Sequence, residues 1–467
     1  MFRRPHRTFA LILPCLLASG MLLAAGCSGG SISPDAAETL GPTGGTEPVT
    51  IQIGFNPPYE ISREEIRAFE RDNPDIRIET FDGQDYNKVM AMIAAGRAPD
   101  ILRISGTFDF VPFVEKGYAL NLEPYMAQSA VFDQNDFAPI ANLFRYDGQV
   151  QGRGPMYGFV KDWSQDFTLW YNKKLFDEAN VPYLSPTEPI TWEELLAISK
   201  KLTKTEDGRI TQYGFMPLGG AQMSQNLLLL QLAQLGRSPF SEDFSGADLT
   251  TPEAKRIMRY WKDVVDANVG ANAVNQAQDK ASDAWFDDKV AIMMSGNWFA
   301  GRIRNTEKAK GRLQDYGFAP APVFEGGVRI SPTGYAVGGV ISKQTRHPDE
   351  AWRVFEWFFG GEPADERART GVGLPAFKSK MPLLRQDTAW DREIFRYQSE
   401  EMKYADRYLP FNPYLSGTAM DSLIDQYFVP VYFGRSTVDE AAGRMTDALN
   451  LLIREGRQAA GDLPSGG

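Results

Sequence analysis

Residues 49–104, VTIQIGFNPPYEISREEIRAFERDNPDIRIETFDGQDYNKVMAMIAAGRAPDILRI, decide the fold. Apolar residues alternate with polar ones from positions 49 and 76, and this period of two predicts two strands. Residues 101–104 are predicted to form a third short strand. Helical spacing separates them, and Ser62 followed by Glu65 is the pattern of a capping box. A strand, helix, strand, helix, strand order implies right-handed crossovers and a parallel sheet. The stretch therefore predicts an α/β fold.

A second α/β unit is predicted further along the chain. Residues 167–171 and 290–294 are short apolar runs typical of buried strands. Thr191 and Glu194 form another capping box, and residues 252–267 have helical spacing. Residues 349–359 and 421–453 are mostly helical in pattern, so two α/β units joined by several segments are expected.

The N-terminus has the pattern of an export signal over residues 1–26. Three arginines precede an apolar run that is shorter than the roughly 20 residues of a membrane span. The sequence LAAGC at residues 23–27 resembles the lipobox of bacterial lipoproteins. This resemblance implies cleavage before Cys27, acylation of Cys27 with chains such as palmitate, and a lipid anchor on the outer face of the cell membrane. The alternative is plain secretion with a structural Cys27.

The composition excludes several classes of function. The 467 residues carry a formal net charge of -11, which becomes -14 when the three signal arginines are removed. Such a surface argues against nucleic acid or anionic lipid as a partner. Outside the signal only His347 and Cys27 remain of the two histidines and two cysteines, so no intrachain disulfide, metal site or cofactor is expected. Residues 27–47 are predicted to be a flexible tether and residues 456–467 a disordered tail.

Several blocks resemble, in order, the extracellular solute-binding lipoproteins of ABC-type importers, especially the maltose-binding-protein-like sugar-binding branch. The resemblance extends over about residues 49–450. The blocks are FERDNP at 69–74, IAAGRAPDI at 93–101, LWYNKKLF at 169–176, TWEEL at 191–195, FDDKVAIM at 286–293, SGNW at 295–298, residues 342–352, and GLPA at 373–376.

The resemblance implies two discontinuous α/β lobes, hinge segments and a ligand cleft between the lobes. Lobe one is expected at residues 48–158 and 322–362, and lobe two at 164–316 and 370–455. It also implies a monomeric binding protein, not an enzyme, that captures a carbohydrate by hinge closure and delivers it to the permease subunits of the importer.

Sugar binding needs aromatic faces for the ring and a few oriented polar groups for the hydroxyls. Trp298 is the first candidate, because it follows a short strand and occupies a family position that often faces the sugar. Asn297 beside it is a second candidate, although asparagine is also an ordinary turn residue. The segment 161–166 supplies Asp162, Trp163 and Gln165; the alternative there is a solvated loop with Trp163 folded inward.

Candidates in lobe one follow its strands. Phe55 and Tyr59 follow the first strand, and one or the other is a candidate to stack on the sugar. Ser105 and Asp109 follow the third strand, and Asp109 alternatively caps the next helix. Gly334 and Tyr335 occupy a family position where the backbone approaches the ligand, although the glycine alternatively only shapes a turn. Tyr414 and Arg369 are further, weaker candidates.

Two enzymatic functions are the alternatives to sugar binding. An exported glycoside hydrolase needs only two carboxylates and aromatic residues, both of which are abundant. The ordered blocks favour binding over hydrolysis. A Ser-His-Asp hydrolase would depend on His347, but the sequence has no Gly-x-Ser-x-Gly motif.

Overall fold

The computed structural model describes residues 47–461, except for 58–59, 107–108, 218–219, 277–280, 332–335, 372, 406–408 and 410. The described part belongs to one compact unit that begins at Glu47. The predicted signal, Cys27 and nearly all of the predicted tether lie outside the described residues, as do residues 462–467.

The described residues form twelve strands, sixteen α-helices, several 3-10 turns and one π-helical turn. The strands are β1 Val49–Ile53, β2 Ile76–Thr80, β3 Ile101–Ser105, β4 Arg145–Tyr146, β5 Gln151–Met156, β6 Phe159–Asp162, β7 Thr168–Asn172, β8 Lys204–Glu206, β9 Arg209–Pro217, β10 Val290–Ser295, β11 Tyr316–Ala319 and β12 Val337–Ile341. The helices are α1 Arg63–Asp72, α2 Tyr86–Ala94, α3 Phe110–Glu115, α4 Glu123–Met126, α5 Lys173–Glu178, α6 Trp192–Leu202, α7 Gln225–Gln234, α8 Pro252–Asp266, α9 Ala281–Phe286, α10 Phe299–Asn305, α11 Pro348–Gly360, α12 Glu362–Thr370, α13 Ala389–Glu401, α14 Ala419–Leu423, α15 Val429–Tyr432 and α16 Val438–Ala459, and the π-helical turn is Ile424–Phe428.

The first sheet has the order β2-β1-β3-β12-β6. Strand β1 pairs in parallel with β2 and β3, as the decisive stretch predicts, whereas β12 runs antiparallel to β3 and β6. Helix α1 begins with the predicted capping box: the Ser62 hydroxyl accepts from the Glu65 backbone N–H at 3.1 Å, and the Glu65 carboxylate accepts from the Ser62 N–H at 2.6 Å. These pairings confirm the α/β prediction for this part of the chain.

The second sheet has the order β11-β7-β10-β9-β8, with β9 and β10 parallel and β7 antiparallel to β10. Its two faces support separate apolar cores, because side chains alternate along a strand. Leu169 and Tyr171 of β7 pack in one core, whereas Trp170 packs in the other. The Thr191 capping box of α6 is present as predicted.

Two crossing segments connect the sheets: residues 163–167 lead from β6 to β7, and residues 320–336 lead from β11 to β12. The core of the first sheet also includes Leu374, Phe377 and Leu384, which follow α12 in the chain. Helix α16 continues to Ala459 and so covers the first residues of the stretch predicted as a disordered tail. The lobe limits stay a prediction.

Candidate functional site

A cavity of about 600 Å³ lies at one edge of the second sheet. Strands β9 and β10 are parallel and both end at this edge, and the antiparallel β7 begins there, so the loops of all three strands meet. Ligand clefts of open α/β sheets form at such carboxyl ends. The lining residues are Asp166, Phe167, Pro217, Gly220, Gln222, Met223, Ser224, Asn226, Leu227, Met294, Ser295, Gly296, Trp298, Asp421, Ile424 and Asp425.

The turn after β10 fixes Trp298 on the cavity wall. A Cβ atom at Gly296 would lie 2.0 Å from Ser164 Oγ and 2.6 Å from the Trp298 ring, so only glycine allows this approach. The Trp170 indole N–H donates to the Gly296 carbonyl at 3.2 Å, and the Thr168 hydroxyl donates to the Ser295 carbonyl at 2.7 Å. The predicted candidate Trp298 therefore follows a strand end that is held by hydrogen bonds from two side chains of β7.

Two aromatic rings belong to the wall of the cavity. Trp298 is half-buried and meets the edge of Phe299 with 5.8 Å between ring centroids. Phe167, which lies immediately before β7, is half-buried and has a backbone φ of 63°, which is uncommon for a bulky residue. Half-buried rings with partners behind them give the stacking surfaces that sugar rings require.

Polar groups of the cavity wall come from the segment that leads into α7 and from the chain around the π-helical turn. An oxygen of the Asp421 carboxylate accepts from the backbone N–H of Gln225, the first residue of α7, at 2.8 Å. Burial raises the pKa of Asp421 above its ordinary value; this hydrogen bond opposes the rise and the neighbouring Asp425 adds to it. Gln222, also on the wall, accepts from the backbone N–H of Ala273 at 2.7 Å.

Two predicted residues are buried next to lining residues in the chain. Asn297 is 4% exposed, and its side-chain oxygen has no hydrogen-bond partner among the described residues. Gln165 is fully buried, and its amide donates to the backbone oxygen of Gln398 at 3.2 Å. Neither lines the cavity. They support the turn and the crossing segment on which Trp298 and Phe167 depend.

Three other predicted residues lie in or beside the first core. Trp163 is 5% exposed, and its indole N–H donates to the Pro375 carbonyl at 2.9 Å, which is the inward-folded alternative. Phe55 is fully buried against Phe358, with 4.7 Å between ring centroids, so its face is not available to a ligand in this structure. Asp162 forms an ion pair with Lys161.

Two lobe-one candidates, Asp109 and Ser105, are not among the residues that line the cavity. Asp109 lies at the carboxyl end of β3 and precedes α3 but makes no capping hydrogen bond with its side chain. Burial raises its pKa to about 6, although Arg103 and a hydrogen bond with the Ser105 backbone oppose the shift. The Ser105 hydroxyl is buried without a partner among the described residues. Tyr59, Gly334 and Tyr335 lie outside the described residues.

The two weaker candidates have structural contacts. The guanidinium of Arg457 lies 5.7 Å from the ring centroid of Tyr414. Arg369 forms a surface ion pair with Glu362 at 2.9 Å. Neither residue lines the cavity.

Sequence reasoning missed Phe167, Met223, Asp421, Ile424 and Asp425, all of which line the cavity. The sequence pattern places Phe167 in the neighbouring apolar run, and a positive φ leaves no signature in a single sequence. Asp421 and Asp425 are four residues apart in a helical stretch, so they share a face. The sequence shows this spacing, but the spacing does not indicate that the shared face lines a cavity. Among the described residues, no group of three or more His, Cys, Asp or Glu side chains is placed to hold a metal ion.

Comparison with known sequences gives consistent results. The family model described as bacterial extracellular solute-binding protein matches residues 56–363. A probable sugar-binding periplasmic protein of Rhizobium meliloti (strain 1021) is 22% identical over 307 residues, and the match spans 63% of each chain. The maltodextrin-binding protein MdxE of Bacillus subtilis (strain 168) is 25% identical over 372 residues, with 75% of each chain covered.

Comparison with solved structures gives the fold. The ABC substrate-binding protein Lmo0181 from Listeria monocytogenes, solved in complex with cycloalternan, superposes with a TM-score of 0.71. It is 24% identical, and the superposition covers 87% of this chain and 99% of the other. At this identity the likeness shows the fold alone, and it agrees with the predicted two-lobed α/β architecture.

Proposed function

The chain belongs to the bacterial extracellular solute-binding proteins, and on that premise we propose that it captures a sugar or oligosaccharide outside the cell membrane. Hinge closure of two lobes holds the sugar in the cleft. The transmembrane permease subunits of an ABC-type importer then receive it. In this role the protein is a monomer that only binds and releases its ligand.

One observation carries the proposal: the cavity of about 600 Å³ combines two aromatic rings with carboxylate, amide and hydroxyl groups. Aromatic faces pack on the apolar C–H surface of a sugar ring, and oriented polar groups meet its hydroxyls. The volume lies within the usual range for small-molecule sites. The names of the matched relatives, which refer to sugar and maltodextrin binding, support the same class of ligand.

The position of the cavity suits hinge closure. Its described lining residues come from the second sheet, from the loops and helices that follow its strands, and from Asp166 and Phe167 of crossing segment 163–167. The loops at the carboxyl ends of β1 and β3, with Asp109 among them, are in the other half of the molecule. Rotation about crossing segments 163–167 and 320–336 is the kind of movement that brings such loops over a bound ligand. The glycoside hydrolase alternative finds no support in the matched family.

The test is a thermal-shift and tryptophan-fluorescence screen of the purified domain against neutral mono- and oligosaccharides. A ligand at 100 times its dissociation constant stabilises the folded state by about 2.7 kcal/mol. Trp298 on the cavity wall gives the fluorescence signal a direct source. Hydrolysis of the sugar, or a melting shift with a peptide or polyamine but with no saccharide, overturns the proposal.

Membrane attachment by a lipid on Cys27 is a second part of the proposal. The LAAGC sequence at residues 23–27 supports it. Within residues 47–461, excluding the undescribed gaps, no helix has both the length and the apolar character needed to cross a bilayer. The test is detergent-phase partition of the expressed precursor after metabolic labelling with palmitate. Wild-type protein is expected in the detergent phase with label, and Cys27→Ala in the aqueous phase without label; equal partition of both contradicts the anchor.

A further inference from the structure

The cavity wall contains two acidic side chains that arise from one helical stretch. Asp421 lies in α14 and Asp425 in the π-helical turn that follows, four residues on. The carboxylate of Asp425 is exposed and takes part in none of the hydrogen bonds or ion pairs of the described residues. Of the described residues that line the cavity, three are aspartates and none is lysine, arginine or histidine.

A second observation, on the strand β10 side of the cavity, indicates that the cavity meets a polar ligand. Ser295 lines the cavity and is only 5% exposed, yet its hydroxyl has no hydrogen-bond partner among the described residues. A buried hydroxyl without a partner costs free energy. A ligand hydroxyl or amine entering the cavity would satisfy the Ser295 hydroxyl.

The N-terminus of α7 also points to this wall, and helix N-termini ordinarily attract anions. In this protein, side chains of the chain itself already accept hydrogen bonds from the N-terminus of α7. The first backbone N–H of the helix, that of Gln225, donates to Asp421 at 2.8 Å, and the N–H of Leu227 donates to the Ser224 hydroxyl at 3.5 Å. An incoming anion would have to displace a carboxylate that is already bound there.

Building on the proposed sugar-binding function, we infer that the cavity selects saccharides by charge. It binds an amine-bearing sugar more tightly than the neutral parent, and binds the corresponding sugar acid least. A protonated amine beside Asp425 gains an attractive interaction, and the proposed closure of the lobes strengthens it by removing water and so lowering the effective dielectric constant. A ligand carboxylate at the same place meets like charge and finds no described cation on the wall.

The experiment begins with the neutral saccharide that binds best in the screen described above. Derivatives of that saccharide replace one hydroxyl at a time with an amine or with a carboxylate, and their dissociation constants are measured by titration calorimetry. At one ring position or more, we expect the amine derivative to bind on the order of tenfold tighter than the neutral parent, and the carboxylate derivative more weakly than the parent. The preference is expected to shrink as the salt concentration rises.

Asp425→Asn tests the assigned carboxylate, with Asp447→Asn on the exposed face of α16 as the matched control. The ratio of amine to carboxylate affinity is expected to fall on the order of tenfold in the first variant and to stay constant in the second. A carboxylate derivative that binds as tightly as the amine at every position overturns the inference while the proposed function stands. An unchanged ratio in Asp425→Asn overturns it too. Failure of every saccharide to bind overturns the proposed function, and the inference falls with it.

Discussion

The side-chain amide of Gln398 donates a hydrogen bond to the backbone oxygen of Asn297, with 3.3 Å between nitrogen and oxygen. The backbone oxygen of Gln398 in turn accepts from Gln165 in the first crossing segment. One residue of α13 therefore holds both the turn that precedes Trp298 and the segment that precedes Phe167. Since these two rings line the cavity, Gln398 is placed to set their relative position.

Gln398→Ala is expected to weaken sugar binding several-fold while the melting temperature falls by only a few degrees. The change removes the neutral hydrogen bond from the Gln398 amide to the Asn297 backbone oxygen, which is worth about 1 kcal/mol. Titration calorimetry and thermal melts measure the two effects. Gln458→Ala, an exposed glutamine of α16, is the matched control and should change neither quantity. Unchanged affinity in Gln398→Ala would show that the contact has no role in positioning the site.

Trp298→Ala is expected to abolish the ligand-induced melting shift while lowering the ligand-free melting temperature by no more than a few degrees. The ring is half-buried at the cavity wall, so its loss removes a stacking surface and little core packing. Trp285→Ala is the contrasting control, because Trp285 is fully buried in the same apolar cluster. That variant should lose about 3–5 kcal/mol of stability. If Trp298→Ala unfolds to the same extent, Trp298 is a core residue.

Local signals predicted most of the fold. The capping boxes at Ser62 and Thr191, and the alternation in β1 and β2, follow from hydrogen bonding and side-chain periodicity within a few residues, and all four are present. The capping pattern and the period of two depend only on residues close together in the chain. The predicted helix starts and strands are present in the structure because its tertiary contacts agree with these local preferences.

The site was less predictable, and two tryptophans show why. Trp163 and Trp298 both follow a strand in a polar stretch of sequence, yet Trp163 is in the core beside Pro375 and Trp298 is at the cavity. The difference arises from residues far away in the chain: residues 374–375 cover the first ring, whereas the second ring is half-buried on the cavity wall. Asp421 and Asp425 reach the cavity by the same kind of distant packing, which a single sequence does not encode in its local pattern.

Trp163→Phe is expected to lower the free energy of unfolding by about 1–3 kcal/mol, because the buried Pro375 carbonyl loses its donor. Sugar affinity of the folded fraction should change by less than about twofold, since the ring does not line the cavity. Urea unfolding and calorimetry measure the two quantities. A large loss of sugar affinity at unchanged stability would show that Trp163 takes part in ligand binding.

Asp109 makes stability depend on pH in a direction opposite to most carboxylates. Burial raises its pKa from 3.8 to about 6 in the folded protein, so the folded state holds its proton over a pH range in which the unfolded chain has released it. By linkage, the stabilisation is fully present below pH 3.8 and is lost as the pH rises through about 6.

Asp109→Asn removes this titration and keeps the shape of the side chain. Relative to wild type, the variant should gain stability progressively between about pH 4 and pH 7 and then remain at a constant difference. Because one pKa unit corresponds to about 1.4 kcal/mol, the gain is at most about 3 kcal/mol. Urea unfolding at a series of pH values measures it, with the exposed Asp72→Asn as the control that should show no such trend. A stability difference between Asp109→Asn and wild type that is flat from pH 4 to pH 7 would mean that the Asp109 carboxyl titrates normally in the folded protein.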